Sequence, residues 1–131
     1  MKKKFTIVVP GAAVAKPRMT RRDKWAKRDN VMRYRAWADH VRLIAHAAGG
    51  VPEAERILDV SWVARFEPPA STSKKQRAAM IGTLHRKKPD RDNIDKAVLD
   101  VLFKEDQGIA SGTIRKEWAD QASLTIVITY E

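Results

Sequence analysis

The stretch on which the fold depends is HRKKPDRDNIDKAVLDVLFKEDQ, residues 85–107. Its middle part has apolar residues three and four positions apart, which is the spacing of one face of an amphipathic helix. Pro89 disfavours helix in the residue before it, so the helix is expected to begin after Pro89, with Asp92 or Asn93 as its cap. The core-facing positions of this helix are Ile94, Ala97, Val98, Val101 and Leu102.

Alternating apolar and polar residues on both sides of this helix predict four strands of one sheet. The strands cover residues 5–9, 58–67, 113–118 and 124–130. In the second strand, the positions predicted to face the core are Leu58, Val60, Trp62, Ala64 and Phe66.

Two further helices are predicted, a long one that begins at Val31 and is ended by Gly49-Gly50, and a short basic one from Ser73 to about Ile81. The predicted order is β-α-β-(α)-α-β-β. Residues 1–131 are therefore expected to form a single small α/β domain, with a mixed four-stranded sheet and helices packed on one face. A hydrophobic content of 44% agrees with a folded domain.

The chain contains no cysteine, which excludes disulfides and thiolate metal sites. A bound metal would need oxygen or imidazole ligands, and oxygen ligands favour Mg²⁺ or Mn²⁺. No apolar run approaches the roughly 20 residues that span a bilayer. The N-terminus mimics a signal peptide, but Pro10-Gly11 interrupts its apolar part after residues 5–9, so we expect a strand and a cytoplasmic protein without a membrane segment.

The formal net charge is +10, from 26 Lys and Arg against 16 Asp and Glu, and such a surface attracts polyanions, above all nucleic acid. Seven of the thirteen residues 16–28 are basic, and three more basic residues precede Pro89. A solvated basic surface without a partner is the alternative. The predicted DNA-binding residues are Lys16, Arg18, Arg21, Arg22, Lys24, Arg86, Lys87 and Lys88.

Carboxylates crowd into the same stretch of this basic chain. Asp90 and Asp92 are two positions apart, so in extended backbone both would point the same way, about 6–7 Å apart, and reach one metal ion. Lys96 lies one helical turn after Asp92, beside whatever the acids hold. The alternative is structural: Asp90 and Asp92 cap the helix, and Lys96 pairs with Asp92 or Asp100 at i,i+4.

The motif from Lys88-Pro89-Asp90 through Asp92-Asn93, Lys96-Ala97, Asp100 and Leu102 to Asp106-Gln107 resembles the signature of RusA-type Holliday junction resolvases. The resemblance implies a homodimeric α/β endodeoxyribonuclease that makes paired symmetric nicks in four-way DNA junctions during recombination and repair. It implies Mg²⁺ as the cofactor, with Mn²⁺ as a substitute. It also implies a cytoplasmic enzyme, of a kind often encoded by prophages.

Carried over by the motif, Asp90, Asp92 and Asp106 would be metal ligands and catalytic residues, and Lys96 would be the catalytic lysine. This chain has Glu105-Asp106 where the family commonly has two adjacent aspartates. The interval after Asp100 is also shorter than in the best-known member.

Leu99 and Phe103 lie at i,i+4 on the side of the helix opposite its main apolar face, which predicts a second packing partner. A two-fold dimer would supply that partner and would match the near two-fold symmetry of a four-way junction. Residues 68–84 or the last loop could cover the same side chains instead. Two alternative functions also stay open at this point, a non-catalytic DNA-binding protein and a metal-dependent nuclease for other branched DNA.

Overall fold

A computed structural model describes residues 1–17 and 29–131 of the chain. The strands of these residues are β1 (Lys3–Pro10), β2 (Ile57–Phe66), β3 (Ile114–Trp118) and β4 (Ser123–Tyr130). The helices are α1 (Asp29–Ala47), α2 (Lys74–Met80) and α3 (Arg91–Leu102), and a 3-10 turn, Ala54–Arg56, precedes β2. The predicted α/β fold and the predicted order of elements are confirmed.

The four strands form one mixed sheet in the order β1-β4-β2-β3. β4 is antiparallel to both β1 and β2, whereas β3 runs parallel to β2 along the edge. A parallel pair needs a long crossover connection. Here the crossover carries α2 and α3, and it brings the start of α3 back to the β2–β3 edge.

The core lies on one face of the sheet, beneath α1 and α3. Its largest fully buried side chains include Trp62, Ile94, Leu124, Ile126 and Ile128. The predicted core face of α3 is confirmed at its four buried positions, Ile94, Ala97, Val98 and Val101, while Leu102 is half-buried.

The prediction that Leu58 faces the core was wrong, because its side chain is 40% exposed. The pairing of β2 with β4 shifts register between Ile57 and Asp59. An irregularity of this kind changes which side chains face inward. Ile57 therefore takes the core position, and the inward alternation resumes at Val60.

The predicted cap of α3 was also wrong. The helix begins at Arg91, with Asp90 as its N-cap in extended backbone at φ −69° and ψ 142°. Asp92 therefore lies in the first helical turn and does not continue an extended segment with Asp90.

The N-terminal apolar residues form β1, which pairs with β4 along its whole length, as expected for a strand rather than a signal peptide. Pro10 ends the strand, and Gly11 turns the chain at a φ of +92°. No helix within residues 1–17 and 29–131 is long and apolar enough to cross a membrane.

Candidate active site

Asp90 occupies a cap position without using its side chain as a cap. The backbone carbonyl of Asp90 accepts a hydrogen bond from Ile94 N at 3.1 Å, but its carboxylate accepts none from the helix amides. An aspartate at this position usually bonds an amide of the first turn. The carboxylate of Asp90 is therefore exposed and available to a ligand.

Asp92 and Lys96 are both exposed and lie one turn apart on α3. Neither has an ion pair among the described residues. Asp100, the other candidate partner of Lys96, instead accepts a hydrogen bond from the Tyr34 hydroxyl at 3.3 Å and pairs with Lys16 at 3.1 Å. The i,i+4 pairing that would explain Lys96 structurally is thus not formed.

Asp90 and Asp92 share a surface depression whose other lining residues are mostly cationic. Five cations and two carboxylates line it together with one histidine, so the formal charge of the depression is positive. Such a setting suits a phosphate group held next to a metal ion. The lining residues are His85, Arg86, Lys87, Lys88, Asp90, Arg91, Asp92 and Lys116.

Sequence reasoning missed Lys116, which comes from β3, more than twenty residues after Asp92. Its ammonium donates hydrogen bonds to the carbonyl oxygens of Lys87 at 2.5 Å and Pro89 at 2.7 Å. Only the pairing of β3 with β2 brings it there, so no local pattern could have identified it.

Sequence reasoning also missed His85, whose side chain is only 6% exposed. Its ring lies between Phe66 and Trp118, with both ring centroids 4.3 Å from its own. Burial, followed by the charge of Lys116, lowers the pKa of His85 below its usual value. The imidazole is therefore neutral at neutral pH and is an uncharged lining group among the basic residues of the depression.

Asp106 does not line this depression. It follows the C-terminus of α3, whereas Asp90 and Asp92 flank the N-terminus, and a helix of 12 residues is about 18 Å long. Across residues 1–17 and 29–131, no three acidic or histidine side chains come together as a metal-binding group. Asp90 and Asp92 still fit Mg²⁺, which proteins often hold through one or two carboxylates together with water and substrate phosphate.

The family model for endodeoxyribonuclease RusA matches residues 10–129, nearly the whole chain. The chain belongs to the RusA family. RusA-family proteins are Holliday junction resolving endodeoxyribonucleases and generally depend on a divalent metal, so this chain is an enzyme that acts on branched DNA. No curated protein matched the chain significantly.

The basic residues predicted to bind the DNA of a RusA enzyme fall into three groups. Arg86, Lys87 and Lys88 line the depression. Lys16 is half-buried, and its ammonium pairs with Asp100. Its backbone amide donates to Asn93 O at 3.5 Å, so the chain at Lys16 is held against α3. The predictions for Arg18, Arg21, Arg22 and Lys24 lie outside the described residues.

The two apolar residues predicted to form the dimer contact of this RusA-family chain are half-buried within the subunit. Leu99 lies in a surface pocket with Val60, Ile109 and Ile114, and Phe103 lies near Val51 and Pro52. The last loop, residues 103–113, therefore covers Leu99 in part. The exposed part of Leu99 continues the face of α3 that carries Asp92, since Leu99 follows Asp92 by two turns.

Proposed function

We propose that this enzyme hydrolyses phosphodiesters in four-way DNA junctions by paired symmetric nicks, with Mg²⁺ as cofactor, during recombination and repair in the cytoplasm. The observation that carries the proposal is the start of α3. Two carboxylates and a lysine, all without an ion pair among the described residues, lie at the start of that helix, and the carboxylates share a cationic depression.

Asp90 and Asp92 would hold the metal. When bound, Mg²⁺ supplies charge stabilisation and a more acidic water for attack on phosphorus. Lys96 extends from the next turn, where its ammonium would stabilise the negative charge that develops on the phosphoryl oxygens. The neighbouring phosphates of the DNA strand that is cut would be held by Arg86, Lys87 and Lys88.

The position of Asp106 supports a dimeric enzyme. Within one subunit, Asp106 lies past the C-terminus of α3, whereas the depression lies at the N-terminus of that helix. A two-fold axis perpendicular to α3 near Leu99 and Phe103 would set two copies of α3 antiparallel, which would bring Asp106 of the partner subunit toward Asp92. We therefore propose that Asp106 completes the metal site from the partner subunit.

The function is tested with a four-way junction labelled on each strand in turn, incubated with and without Mg²⁺. We expect nicks at symmetric positions on two opposing strands, only with the metal. A linear duplex of the same sequence serves as the control. Binding without cleavage in Mg²⁺ or Mn²⁺ would favour the non-catalytic alternative, and faster cleavage of flaps than of junctions would favour a nuclease for other branched DNA.

The shared site is tested by mixing two inactive variants, Asp92→Asn and Asp106→Asn. If Asp106 acts across the dimer, each mixed dimer has one intact site and one site that lacks both acids, and nicking returns. If Asp106 acts within its own subunit, both sites of the mixed dimer are damaged and nicking stays absent. Sedimentation that shows a monomer at working concentration would contradict the dimer itself.

A further inference from the structure

We propose that Lys116 is a positioning residue for the metal site, which it serves by holding the backbone that precedes Asp90. This inference rests on the proposed function, because it assigns to Lys116 a role in the affinity of Asp90 and Asp92 for a divalent ion.

Lys116 contacts the segment before α3 at three points. Its carbonyl oxygen accepts from His85 N at 3.1 Å, and its ammonium donates to the carbonyls of Lys87 and Pro89. The second of these carbonyls belongs to the residue directly before Asp90. The position of the Asp90 carboxylate thus depends on the Lys116 side chain, which comes from β3.

The ammonium of Lys116 has no acidic partner among residues 1–17 and 29–131. The next residue of β3, Glu117, pairs instead with Arg65 at 2.9 Å and with Arg115 at 3.0 Å. Two carbonyl oxygens are therefore the only protein groups that the Lys116 ammonium bonds in the described parts. Hydrogen bonds from a charged donor are stronger than those between neutral groups.

Two physical effects of Lys116 on a bound cation have opposite signs. Its positive charge repels a metal ion near Asp90, so loss of the charge alone would tighten metal binding. Its hydrogen bonds hold Asp90 in place relative to Asp92, so loss of the clamp would weaken metal binding by loosening a preorganised pair of ligands. The sign of the change therefore separates positioning from electrostatics.

The experiment measures Mn²⁺ binding to the full-length protein without DNA, from the electron paramagnetic resonance signal of the free ion. We expect Lys116→Met to raise the dissociation constant at least about tenfold, which corresponds to about 1.4 kcal/mol. The matched control is Lys87→Met, which removes a cation from the same depression but keeps the carbonyl clamp, and it should bind Mn²⁺ as tightly as the parent or more tightly. Lys116→Arg keeps a charged donor and should recover most of the affinity.

Thermal melting of each variant shows whether it is folded at the temperature of the titration. Should Lys116→Met be unfolded there, Lys116→Gln, which retains an amide donor, is expected to bind Mn²⁺ with intermediate affinity. Unchanged or tighter binding by folded Lys116→Met would overturn the positioning role. If Asp90→Asn binds Mn²⁺ as tightly as the parent protein does, the proposed metal site itself is refuted.

Discussion

Replacing Asp92 by asparagine separates DNA binding from cleavage. The substitution keeps the size of the side chain and removes one of the two carboxylates in the depression. Because Asp92 is exposed and has no ion pair among the residues that the structure describes, the folded protein should be as stable as the parent, within about 0.5 kcal/mol.

The expected change in DNA binding follows from Coulomb's law. A carboxylate and a phosphate about 6 Å apart repel each other by about 0.7 kcal/mol at the dielectric constant of water, which is appropriate for an exposed side chain. Junction binding without metal should therefore tighten about threefold. Cleavage should fall by about a thousandfold or more, since a catalytic metal is worth several kcal/mol of transition-state stabilisation.

Both quantities are measured on one labelled junction, the affinity by gel shift in EDTA and the cleavage rate by single turnover in Mg²⁺. The matched control is Asp120→Asn, which makes the same change in net charge at a side chain that is 79% exposed and outside the depression. If Asp92→Asn cleaves as fast as Asp120→Asn, then Asp92 is not part of the active site.

Three further predictions follow from the same structure. Gly112→Ala should destabilise the protein by about 1–3 kcal/mol in urea unfolding, because the new Cβ would lie 2.0 Å from the carbonyl oxygen of Val60, whereas Gly108→Ala, with no atom within 4 Å, should be neutral. Lys96→Met should keep Mn²⁺ binding and lower the single-turnover cleavage rate about a hundredfold; an unchanged rate would exclude Lys96 from catalysis. Because the pKa of His85 is lowered in the folded protein, the unfolded chain binds a proton at this residue at a higher pH than the folded protein does. Stability should therefore be lost as the pH falls below about 6.5, and by less in His85→Phe; equal losses in parent and variant would contradict the assignment.

The local patterns of the sequence predicted the fold well. The amphipathic period of α3 and the alternation of β2 are local properties, and they identified the core-facing residues of their elements apart from Leu58. That exception arises because the register shift between Ile57 and Asp59 depends on pairing with β4, which no local pattern contains.

The candidate site was predicted only in part, for the same physical reason. Asp90, Asp92 and Lys96 lie within seven residues of the chain, so their proximity could be inferred from local spacing. Lys116 reaches the site through the parallel pairing of β3 with β2, and His85 through its packing between Phe66 and Trp118. Contacts between residues that are far apart in the sequence leave no pattern in the spacing of residue types along the chain.

The exact start of α3 matters for the chemistry at Asp90. With the cap at Asp90, the two acids stand on different backbone conformations, one extended and one helical. Their common depression therefore depends on the segment before Asp90, which Lys116 holds. The period of two predicted that Asp90 and Asp92 lie side by side, and they do share a depression, but not through a common extended backbone.

The most direct test of the proposed junction resolution uses a supercoiled plasmid that extrudes a cruciform, a four-way junction within a closed circle. Two coordinated nicks across the junction convert this plasmid into a linear molecule, whereas a single nick only relaxes it. We predict linear product from the parent enzyme with Mg²⁺ and none from Asp92→Asn. Nicked circles as the sole product, or linear product from a plasmid without the cruciform, would contradict paired symmetric cleavage of four-way junctions.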